Sequence, residues 1–256
     1  MDEPDKTAAT RQQIKEMRKI PPLHLALMLV LAATAGGFLY TLKHGAKQEH
    51  AVTAEDAALL ASIRDNSNGE IVRAAEGRFG GESKNVEQRA LVARVGHLIA
   101  TKTDAKLSPV KLHFYLLAEP NSIAAYGLST GDIFITTAML NRLQTEGELA
   151  AVLAHVTAHA LAGDALTPLT GTMLPVWRHS EAQENAADIL TVKLMAQAGY
   201  DPNAFVNMLL VLVKAYEAKA DVGFFVAHPN ADGRLEAITA NIRALYPNGV
   251  PREFSK

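Results

Sequence analysis

The chain has 256 residues, 48% of them hydrophobic and 20% charged, with a formal net charge of −2. That length suits one sizeable domain plus an anchor or tail, and a near-neutral balance with no basic stripe argues against nucleic acid as a partner. With no cysteine in the chain, disulfides, thiolate ligands, a cysteine nucleophile and a lipidated N-terminal cysteine are excluded, so any metal site must use His, Asp and Glu.

Residues 1–22 read as a polar tail in which Arg11, Lys15, Arg18 and Lys19 collect just before Pro21-Pro22. Residues 23–42 carry no Lys, Arg, Asp or Glu and are long enough to span a bilayer as a helix. The basic cluster ahead of them predicts a signal-anchor with the N-terminus in the cytoplasm, although Lys43 and Lys47 on the far side soften that bias. A single-pass protein of a bacterial inner membrane, with its domain in the periplasm, is the expected arrangement. The alternative is secretion after cleavage near Ala33-Thr34-Ala35. A linker at 43–54, a domain at 55–247 and a tail at 248–256 complete the expected organisation.

Within the domain, Val86, Leu91, Val95, Leu98 and Ile99 share one face of a helix over 86–100, with His97 close to that face. Residues 110–117 alternate as a strand with His113 on its polar side, and Asp132, Ile133, Phe134, Ile135 and Thr136 read as a second strand. Thr145 and Glu148 form a capping-box pattern that opens a helix ending near Gly163. Ser180 and Gln183 open another, which stops at Gly199. Asp201-Pro202 starts a third helix, and a last one covers 232–245. Strands in one part and helices in the rest predict an α+β fold, mostly helical with a small sheet.

The first capped helix holds His155-Val156-Thr157-Ala158-His159. Histidines four apart put both imidazoles on one helix face, at a spacing that can grip one metal ion. In the H-E-x-x-H pattern, the residue after the first histidine is the glutamate that deprotonates the attacking water; here it is Val156. Two histidines at this spacing also arise by chance. Glu184 and Asp188 lie four apart on the next helix, where they could complete a three-ligand site with a carboxylate behind it, or form a solvated acidic face.

Taken in order, several stretches resemble the HtpX-like and CAAX-prenyl-protease-like zinc metallopeptidases of the gluzincin clan. They are 124–135 (its N-A-F-A-x-x-G-G segment and strand), 148–155 (the approach to its zinc helix), 180–188 with 198–202, and His228-Pro229 with Arg234 (its H-P-x-x-x-x-R element). The resemblance implies a zincin-like domain with one zinc ion held by His155, His159 and Glu184, and Asp188 behind a ligand histidine. It also implies that His228 approaches the open metal position, that Arg234 faces the cleft, and that Asp132–Thr136 is the edge along which a peptide substrate pairs. Protein or peptide segments are the implied partners, and proteolysis in membrane or envelope quality control the implied role.

This sequence departs from that pattern at Val156, at Ala124 for asparagine, at Thr130 for the first of two glycines, and at Thr191 for a glycine. The connection from Gly163 to Ser180 is also short for the family. Losing the base removes an effect worth roughly 10²–10⁴-fold, so two readings stand at this point. One is a membrane-anchored, zinc-binding pseudoprotease. The other is an active metalloendopeptidase that uses another base. A metal-free interaction domain is a third.

Overall fold

The computed structural model describes residues 79–128, 130–163, 178–229 and 231–254, with isolated positions at 53, 54, 58 and 77. The apolar stretch 23–42, the linker and most of the connection from Gly163 to Ser180 lie outside the described residues. Among the described residues, no helix is long and apolar enough to cross a membrane.

Helix α1 (Val86–Lys102) is capped by Asn85, whose side chain accepts from the Gln88 amide, and a short 3-10 helix (Asp104–Leu107) follows it. Next come β1 (His113–Leu117), β2 (Ala125–Gly127), β3 (Asp132–Thr136) and α2 (Thr137–Arg142). The helical half holds α3 (Glu146–Ala162), α4 (Glu181–Gln197), α5 (Asn203–Glu217), α6 (Phe224–Ala227) and α7 (Ala231–Leu245). This is the expected α+β fold, a mostly helical domain with a three-stranded sheet.

The caps agree in part with their sequence signals. Ser180 and Gln183 make the full reciprocal box at the start of α4. Thr145 accepts from the Glu148 amide as expected, but the Glu148 carboxylate turns back one residue further and accepts from the Gln144 amide at 2.6 Å. Sequence reading missed β2, α2 and α6, which are three, six and four residues long. Segments that short carry too few periods for a hydrophobic pattern to emerge.

The sheet order is β1-β3-β2, with β1 parallel and β2 antiparallel to β3. Strand β3 is therefore central, which corrects the expectation that Asp132–Thr136 forms the substrate edge. All five of its residues pair with His113–Leu117 on one side. On the other side β2 covers Ile133–Ile135, and the Leu128 amide and Ala124 carbonyl bond Asp132 and Thr136. A run with every residue buried, as β3 has, belongs in the middle of a sheet rather than at its rim. The outer side of β1 is itself met by the chain at Gly81–Ser83. The edge nearest α3 belongs to β2. His113, expected on a polar face, is the one partly exposed residue of β1 and lies 3.5 Å from the buried Asp132 carboxylate, which accepts from Thr130 at 2.6 Å and Tyr115 at 3.3 Å.

Helix α1 packs against β1, and α3 packs against β2, α1, α4 and α5. Every residue of α3 from Gly147 to Ala160 is buried, so it is the central rod of the domain rather than an amphipathic surface helix. The contact between α1 and β1 depends on Gly96, where a Cβ would collide with the Phe114 ring. Gly96→Ala should gain up to about 1 kcal/mol of helix propensity but lose about 1–3 kcal/mol to overpacking. Net destabilisation, read as a lower urea midpoint, is the expected outcome, and an unchanged or raised midpoint would contradict this packing.

Candidate metal centre

Helix geometry places His155 and His159 on one face of α3, and the tertiary fold brings α4 and the His228 loop to meet them. His155, His159, Glu184 and His228 are all buried, and each offers one donor atom within 4.8 Å of the others. His155 Nε2 lies 3.3 Å from His159 Nε2 and 3.2 Å from His228 Nδ1. Glu184 Oε1 lies 2.9 Å from His228 Nδ1 and 3.4 Å from His159 Nε2, while its Oε2 is 3.5 Å from His155 Nε2.

Asp188 and Arg234 lie behind this cluster. The carboxylate of Asp188 is 3.2 Å from His155 Nδ1. The Thr191 hydroxyl, 3.4 Å from the same nitrogen, already donates to the Ala187 carbonyl. His155 Nδ1 thus faces acceptors and carries the ring proton, which leaves the Nε2 lone pair directed into the cluster. Arg234 is 2% exposed and does not line the cavity described below. Its guanidinium donates to Asp188 from Nε at 2.8 Å and from Nη2 at 2.6 Å. An arginine so deep is tolerable only beside carboxylates.

The donor set fits a metal ion on two grounds. A tetrahedral zinc site with bonds of about 2.0–2.1 Å separates its ligand atoms by about 3.3 Å, close to the spacings above. The second ground is Glu184 Oε2, a buried oxygen with no hydrogen bond of acceptable geometry, although Arg234 Nη1 pairs with it obliquely at 2.8 Å. One nitrogen cannot satisfy several others that converge on it, whereas one cation can. When bound, such a metal supplies Lewis acidity and an activated water.

Burial opposes ionisation of Glu184, but the imidazoles of His155, His159 and His228 packed around it outweigh that cost and hold the carboxyl far below its usual range. Burial likewise opposes ionisation of Asp188, and the bonds from His155 and Arg234 overcome it. His228 is driven the other way: burial pushes its imidazole well below 6.5, against the pull of Glu184. Its unfolded form therefore takes up a proton as pH falls below about 6.5 while the folded form does not, so stability is lost on acidification. Metal-free protein should lose up to about 1.4 kcal/mol per pH unit below pH 6.5 through this group. Urea midpoints for His228→Phe should fall less steeply over the same range, and identical slopes would contradict the assignment.

A cavity of about 20 Å³ lies beside the cluster, lined by Tyr126, Gly127, Val156, His159, His179, Ala227 and His228. That is room for about one water molecule. Val156 forms part of its wall and packs against β2, where a Cβ on Gly127 would come within 2.9 Å of Val156 Cγ1. His179 escaped the sequence reading. It is buried, its ring stacks on His159 with centroids 3.8 Å apart, and it lies 5.0 Å from His228. Its only sequence signal is its place directly before the Ser180 cap, and no helical spacing links it to the other histidines.

Two histidines one turn apart on a buried helix, a carboxylate from the next helix and a small sheet alongside are the parts of a metallopeptidase domain. The sequence matches the model of peptidase family M48 over residues 86–178 and 168–242, together more than half of the chain, and the chain belongs to that family. Comparison with curated proteins gave no match. M48 peptidases are zinc-dependent, in keeping with the buried His-His-Glu-His cluster.

Proposed function

We propose that this protein is a zinc-binding, catalytically impaired M48 protein of the HtpX-like kind, tethered to a membrane by residues 23–42, that engages exposed segments of other proteins. Zinc is held by His155, His159 and Glu184, with Asp188 orienting His155 and His228 closing the fourth position. One observation carries the reading: the position of the general base is filled by Val156, whose Cγ1 packs towards Gly127 in a cavity with room for about one water. The β2 edge is the surface for an extended peptide. Ala124 and Leu128 direct their backbone groups to β3, so by alternation those of Ala125 and Gly127 point outward.

The test is metal analysis and casein cleavage on purified protein. About one zinc per chain, with no cleavage above a chelated control, is expected; robust chelator-sensitive cleavage would overturn the impaired reading, and absence of zinc would overturn the metal centre.

His179 favours a second reading, an active metalloendopeptidase, because it is an imidazole that lines the cavity from outside the donor cluster. Cleavage abolished by His179→Phe with zinc content unchanged would establish it.

A further inference from the structure

We infer that Arg234 is the resident cation of this centre: its guanidinium keeps the four donors assembled whether or not a metal is bound. Glu184 and Asp188 are both buried on α4, one turn apart, with no water around them to screen one carboxylate from the other. Two such charges repel unless a cation lies between them. Arg234 on α7 answers both. It grips Asp188 through two bonds of 2.6 and 2.8 Å and meets Glu184 at 2.8 Å, while Nη2 also reaches to 3.3 Å from His155 Nε2.

The geometry divides the labour. The planar fork suits bidentate capture of Asp188, and Asp188 in turn holds the Nδ1 proton of His155. The oblique pairing with Glu184 places a positive charge beside Oε2 without consuming it in a directed bond, so that oxygen stays available to an ion. A centre built this way does not need metal to fold, unlike small domains whose metal supplies the folding energy. Arg234 is thus a positioning residue for the donors, acting through Asp188 and Glu184 rather than on any substrate.

The inference rests on the same donor cluster as the proposed function but not on its occupancy, so the two can fail separately. The experiment compares full-length wild type, Arg234→Lys and Arg234→Met, each stripped with chelator and then reloaded with zinc, by thermal unfolding and near-ultraviolet circular dichroism. Stripped wild type should keep the spectrum of the loaded protein. Arg234→Lys, which keeps the charge, should withstand stripping better than Arg234→Met. The methionine variant should lose about 10 °C more than wild type on stripping, the scale for a buried carboxylate pair without its counter-charge. If Arg234→Met fails to fold even with zinc while Arg234→Lys folds without it, the requirement for a cation is upheld. Unfolding of wild type on stripping, or equal losses in all three proteins, would overturn the inference. Folded wild type that takes up no zinc would sink the metal reading and leave this one standing.

Discussion

Val156→Glu should raise casein cleavage by zinc-loaded protein roughly 10²–10⁴-fold above the unmodified chain, the usual contribution of a positioned acid–base group. Residue 156 directly follows His155 on α3 and lines the cavity together with His159 and His228, so a carboxylate there reaches the space where water would be deprotonated. Two nearby residues offer no equal substitute. Thr157 is turned about 100° further round the helix and has no useful pKa, and His228 is engaged with Glu184 at 2.9 Å. An inert Val156→Glu protein that still carries zinc would shift the cause of impairment from the missing base to the closed cavity and His228.

Asp188→Ala should cost about 3–5 kcal/mol of stability in metal-free protein, the range for removing one partner of a buried ion pair. The substitution takes both short bonds from Arg234 and the acceptor from His155 Nδ1, and it leaves a buried guanidinium with the oblique Glu184 contact and the 3.3 Å approach to His155 Nε2. Zinc affinity should fall about 10–100-fold as well, because the proton on His155 is no longer held away from the metal side. Urea unfolding and competitive zinc titration read the two effects. A loss below about 1 kcal/mol would mean that Arg234 finds another partner and that the pair is not structural.

Much of the fold could be read directly. The Thr145 and Ser180 caps and the Gly163 and Gly199 stops are local, and local geometry shows in a few neighbouring residues. The sheet was less legible. A five-residue buried run identifies β3 as a strand but says nothing of its neighbours, because pairing joins residues far apart in sequence. The three-residue β2, which supplies the real edge, has no pattern of its own.

The candidate centre divides along the same line. By itself the sequence determined that His155 and His159 share a helix face, that Glu184 and Asp188 share another, and that Val156 stands where a base would be. These follow from the 3.6-residue period and need no partner element. Only the tertiary structure decided that the two faces meet, that His179 and His228 come in from loops, that Arg234 pairs with both Asp188 and Glu184, and that Val156 packs against Gly127. Each of those depends on how separate elements pack, and packing is set by shape and charge across the whole core rather than by spacing along the chain.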